Sequence, residues 1–105
     1  MTPTKQANKS SINLDYTILK KAVMTLRAIN HPLRRQMMEH IKAEGQITVT
    51  ELFIKLRLEQ SVVSQHLAIL RKAGVLQTNR DGNYIFYSLN EPRINEISTL
   101  IQDLA

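Results

Sequence analysis

The sequence predicts a mainly α-helical domain carrying one small β-hairpin. Apolar residues recur at helical spacing through most of the chain, the period turns to alternation after Gly74, and an Asp-Gly pair at 81–82 interrupts the alternating part. With 105 residues there is room for one domain with a single modest core.

Residues 1–12 are polar, with Lys5 and Lys9 and little to bury, and read as a mobile N-terminal tail before a folded domain over 13–105. Between Leu14 and Ile29, residues Leu19, Ala22, Val23, Leu26 and Ile29 keep helical spacing. Asn30-His31-Pro32 ends that helix and starts a second, with Pro32 suited to a first turn. Leu33, Met37 and Ile41 share one face of the second helix, and Gly45 stops it. Thr48-Val49-Thr50-Glu51 has the form of a capping box opening a helix of about two turns through Leu52 and Leu56. Arg57-Leu58 makes a tight turn into a helix from about Glu59 to Lys72.

Val75–Arg80 and Tyr84–Leu89 then read as strands. A two-residue turn puts Leu76, Ile85, Tyr87 and Leu89 on one face, whereas a longer turn that includes Asn83 changes the pairing. Pro92 opens a last helix with Ile94, Ile97, Leu100, Ile101 and Leu104 in one stripe. A short helix, a tight turn and a second helix, followed at once by a hairpin, make a winged helix-turn-helix.

There are no cysteines, which excludes disulfides, thiolate metal sites and thiol switches. No apolar run is long enough to cross a bilayer, and residues 1–11 lack the apolar stretch of a signal peptide, so the expected location is the cytoplasm. The net charge is +5 and is unevenly spread. Residues 55–80 hold Lys55, Arg57, Arg71, Lys72 and Arg80 against Glu59 alone, while 81–105 hold Arg93 against Asp81, Glu91, Glu96 and Asp103. Such asymmetry suits a polyanionic partner, although ordinary solubility also accounts for a charge of this size. No nucleophile–base set, phosphate-cradling glycine loop or carboxylate pair with an evident pocket is present, so an enzyme is not expected. No cofactor is expected, and nothing names a small-molecule effector.

The helix after the turn begins QSVVSQHL. If it packs through Val63, Leu67 and Leu70, its other side presents Gln60, Ser61, Ser64 and Gln65 near the N-terminus. Short polar side chains let the backbone approach base edges in a DNA major groove. Glutamine bonds adenine bidentately, and serine serves several bases. The alternative is a solvated helix face that happens to be decorated with serine and glutamine.

Segment 26–89 resembles the ArsR/SmtB winged-helix repressors of bacteria. LRAINHPLRRQMMEHI carries their X-Pro pair followed two residues later by Arg34. The segments ITVTEL, LEQSVVSQHLAILRKAGVL and DGNYIFYSL match the rest. The resemblance implies a homodimer on double-stranded DNA that binds imperfect inverted repeats and usually represses. It also implies a dimer interface formed by the first and last helices, here through Leu19, Val23, Ile94, Ile97, Leu100, Ile101 and Leu104. In this setting Gln60, Ser61, Ser64 and Gln65 are expected to read bases. Arg57, Arg71, Lys72 and Arg80 are expected on phosphate, with Asn83 at the wing tip. His66 either orients the helix or meets phosphate.

The chain also departs from the family pattern. Metal-sensing relatives use cysteines around the short helix, where Thr48–Phe53 has none, or a histidine on the last helix, which is also missing. His31, His40 and His66 form no ligand cluster of plausible spacing, so no metal is expected. Glu59 stands where relatives often have a serine cap, Asn83 where they often have arginine, and Arg57 where a glycine often closes the turn. Glu59 and the single-arginine wing keep open a second possibility, a winged-helix protein-interaction module with no operator of its own.

Overall fold

Asp15 opens helix α1 (Tyr16–Ile29), its carboxylate accepting the Thr17 N–H at 2.8 Å. The computed structural model describes residues 15–104, except the Leu104 side chain; the tail expected at 1–12 lies outside the described residues. The face that α1 buries is Ala22, Thr25 and Ala28, with Ile29 packed beside the core. Val23 and Leu26 remain 45% and 40% exposed. Small residues on the inner face let the helix backbone approach its neighbour, and the larger side chains are displaced to the flank.

His31 caps α2 (Pro32–Glu44) with an imidazole nitrogen, and Pro32 sits in the first turn, where no N–H is needed. Met37 and Ile41 are completely buried. A two-residue strand, β1 (Ile47–Thr48), follows. Sequence periodicity cannot reveal a strand this short. Thr48 serves twice, as the end of β1 and as the cap of α3 (Val49–Leu56), where a complete capping box with Glu51 forms. Its backbone N–H, donated to the Glu51 carboxylate, is the main cause that holds the Glu51 carboxyl below the usual range, followed by the Thr48 hydroxyl.

Arg57 joins α3 to α4 (Gln60–Lys72) in the left-handed conformation, with φ 57° and ψ 43°. It is the one non-glycine residue with positive φ among those described. A side chain there costs roughly 1–2 kcal/mol. Arg57→Gly is therefore expected to raise stability by about 0.5–1 kcal/mol after the extra unfolded-state entropy of glycine is deducted. An unchanged or lower urea midpoint would contradict that.

Strands β2 (Leu76–Asp81) and β3 (Tyr84–Leu89) pair antiparallel, and β1 adds to the far edge of β3, giving the order β1-β3-β2. Of the two turn lengths the sequence left open, the shorter forms, but its centre is Gly82-Asn83 rather than Asp81-Gly82, because Asp81 pairs with Tyr84. Gly82 has φ 63°, the requirement at the first central position of a type II′ turn. A turn centred on Asp-Gly would need positive φ at Asp81. Moving the centre by one residue shifts every partner by two, so Leu76, Ile85, Tyr87 and Leu89 still share a face.

Helix α5 (Glu91–Leu104) closes the chain. Asn90 accepts the Arg93 N–H at 3.4 Å and donates its amide to Gly74 O at 3.1 Å. The core gathers Met37, Ile41, Ile47, Leu52, Val63, Leu67, Leu70 and Val75 between the helices and the sheet.

Candidate nucleic-acid interface

Val63, Leu67 and Leu70 anchor α4 in the core. Gln60, Ser61, Ser64 and Gln65 lie on its exposed side, in the first two turns. Glu59 occupies the cap position but makes no side-chain cap bond, so α4 begins without a side chain satisfying its first N–H groups. Such an N-terminus attracts phosphate, and the Glu59 carboxylate beside it works in the opposite direction.

Arg57 is exposed at the turn entering α4. Arg71 and Lys72 are exposed in the last turn, about 17–18 Å along the helix from Gln60 at 1.5 Å per residue. Arg80 and Asn83 are exposed on the wing, Arg80 opposite Ile85 in the ladder and Asn83 in the turn. The structure thus gathers the base-facing candidates at one end of α4 and spreads the cations over the turn, the far end of α4 and the hairpin.

His66 is directed elsewhere than toward an open helix face. Its ring is half-buried, with Nδ1 3.2 Å from Arg34 Nη1 and its centroid 4.9 Å from that of His31. A guanidinium only donates, so Nδ1 accepts and the ring proton of neutral His66 sits on Nε2. Arg34 also donates from Nε to Ala28 O at 2.6 Å. One guanidinium thereby links the end of α1, the start of α2 and, through the His66 ring, the middle of α4. Burial, then the nearby His31 and Arg34, push the His66 pKa below its usual 6.5.

Because the folded state binds that proton less readily than the unfolded chain, stability is lost as pH falls below about 6.5 toward the lowered value. His66→Gln, with an amide oxygen available to Arg34, is expected to flatten this acid limb in urea titrations at pH 7.5 and 5.5. An unchanged pH dependence would contradict the assignment.

Two further contacts carry no local sequence signal. Thr25, fully buried, donates its hydroxyl to Ala73 O at 3.0 Å, with Lys21 O also in reach at 2.9 Å. Asn90 N–H donates to Val75 O at 2.8 Å, beside its amide bond to Gly74 O. Three successive carbonyls at the end of α4 are therefore held by α1 and by the residue before α5. Only the three-dimensional fold brings position 25 to position 73.

Of the expected dimer stripe, Ile97 is only 6% exposed and Ile94 packs on the core of its own chain. Both are largely covered within their own chain. Leu19 and Leu100 are half-buried, Val23 and Ile101 stay exposed, and the Leu104 side chain is not described. Ile18 and Leu26 add to the exposed apolar surface of α1. No group of three or more His, Cys, Asp or Glu placed to hold a metal occurs among the described residues, and none of their helices is long and apolar enough to cross a membrane.

The sequence model of a family described as "Bacterial regulatory protein, arsR family" matches residues 31–78. The transcriptional repressor PagR of Bacillus anthracis is 33% identical over 91 residues, 87% of this chain and 91% of that protein. The transcriptional activator HlyU of Vibrio cholerae is 33% identical over 84 residues, 80% and 77% of the two chains. The crystal structure of PagR superposes with a TM-score of 0.70 at 34% identity, covering 83% of this chain and 99% of that one. A homodimeric winged helix-turn-helix DNA-binding domain from Mycobacterium bovis shares the fold, with a TM-score of 0.71 at 18% identity over 85% and 82% of the chains.

Proposed function

The chain belongs to the ArsR family of bacterial regulatory proteins, and on that footing we propose that it is a homodimeric cytoplasmic repressor reading an inverted-repeat operator through the first turns of α4. The family and these relatives are transcriptional regulators, not enzymes. The observation that carries the proposal is the division of α4 into two faces. One is locked into the core by Val63, Leu67 and Leu70, and the other offers Gln60, Ser61, Ser64 and Gln65 to solvent. A helix held this firmly presents its polar tip at a fixed angle, as groove entry requires. Arg57, Arg71, Lys72 and Arg80 supply phosphate contacts around it, and Asn83 touches the backbone at the wing.

Dimerisation is supported by the apolar flank of α1 at Val23 and Leu26 and by Ile101 on α5, each at least 40% exposed in the single chain. Repression is the sign named for PagR, whereas HlyU is named an activator. A promoter fusion reads the sign for this chain.

A gel-shift assay on the DNA upstream of the protein's own coding sequence tests the proposal. A shifted band that survives scrambled competitor is the expected result. A band removed equally by scrambled and specific duplex would instead favour a protein-binding module.

A further inference from the structure

Between α1 and α4 lies an open groove of about 280 Å³, just under the usual size range of ligand sites. Its floor is apolar and built from Met24, Ala28, Ile69 and Ala73. Met24 and Ile69 are each 42% exposed there. Its charged lining residues are Arg27, Arg34 and Lys72, and none of the described residues lining it is acidic. A second hollow of about 190 Å³ shares Met24, Lys72 and Ala73 and adds Lys21 and Arg93; no carboxylate lines it, although Arg93 pairs with Glu96 at 3.8 Å. We propose that this groove binds a small amphipathic anion, an aliphatic or aryl carboxylate, with its apolar body on the floor and its carboxylate among the cations.

The chemistry selects this class. Bare phosphate would leave the apolar floor wet. A cationic or neutral amphiphile would forgo the charges on the rim. The proposed dimer contact leaves the groove open, because Met24 and Leu26 project from α1 about 160° apart at 3.6 residues per turn. Leu19 and Val23 also lie on the Leu26 side.

The groove adjoins the DNA-reading helix. Ile69, Lys72 and Ala73 belong to the end of α4, and Ala73 O is the acceptor of the Thr25 hydroxyl from α1. An anion seated there occupies Lys72 and loads that bond, so DNA affinity falls when it binds. This coupling rests on the proposed DNA-binding role, whereas the binding itself does not.

Decanoate, below its micellar concentration, is the probe, titrated into the DNA-free full chain by calorimetry and followed by methyl NMR. The expected result is saturable binding with shifts at Met24 and Ile69. Met24→Glu, which places a carboxylate on the groove floor, should weaken it about tenfold or more, and Met24→Leu should retain it. Both variants should melt like the parent. Absent saturation, equal binding of decyltrimethylammonium, an unaffected Met24→Glu, or a Met24 methyl shielded by a second copy from a soluble paramagnetic probe would each overturn the site. If decanoate binds as expected but leaves a gel shift unchanged, the coupling is overturned and the site stands.

Discussion

Raising salt from about 50 to 200 mM is expected to weaken the DNA complex roughly 10⁴-fold. Four cations per chain, Arg57, Arg71, Lys72 and Arg80, stand exposed around α4 and on the wing. A dimer would bring about eight to phosphate, and neutralising eight phosphates gives a log–log slope near −7. Loss of one cation in each chain should reduce the slope by about 2. Arg80→Ala should therefore give a slope near −5 and weaken all sequences alike, since a phosphate contact carries no base information. Fluorescence anisotropy with a labelled duplex at five salt concentrations measures both slopes. A wild-type slope shallower than about −3 would contradict an eight-phosphate interface, and an unchanged slope for the variant would remove Arg80 from it.

Leu67→Ala is expected to cost about 2–5 kcal/mol of folding stability, a large fraction of the roughly 5–15 kcal/mol that a domain of this size possesses. Leu67 is 1% exposed, in the middle of α4 and next to His66, whose ring faces Arg34. Truncation leaves a cavity that rigid neighbours close only in part, because Val63 and Leu70 are fully buried on either side. The loss should appear as a fall in the urea midpoint with little change in slope. DNA affinity at 37 °C should fall with it, because the unfolded fraction grows. A loss below about 1 kcal/mol would mean that α4 is not held through this face.

Much of this architecture is legible in the sequence because its signals are local. Thr48 and Glu51 declare their capping box at a fixed spacing, and Val63, Leu67 and Leu70 mark the inner face of α4 by period alone. The strand β1 was hidden because two residues have no period, and its partner Tyr87 lies forty residues away. The inner face of α1 carries a weaker signal for a different reason. Hydrophobicity ranks Val23 and Leu26 above Ala22 and Thr25, but close helix approach favours the smaller side chains. The contacts of His66 with Arg34 and of Thr25 with Ala73 join residues 32 and 48 positions apart, and no spacing rule reaches that far.

The candidate site divides in the same way. The polar tip of α4 follows from its period once the buried face is known. The three carbonyls at its other end, held by Thr25 and Asn90, belong to tertiary structure. They anchor the end of α4 opposite Gln60 and Gln65.

Selection of bound duplexes from a random pool, run in parallel for the parent chain and Gln65→Ala, decides whether α4 reads bases. The parent should enrich an inverted repeat with half-sites about 10–10.5 base pairs apart, or a multiple of that. The variant should keep the spacing and lose preference at one symmetry-related pair of positions. Enrichment of no common sequence, or of the same sequence with undiminished preference by the variant, would contradict base reading by this helix.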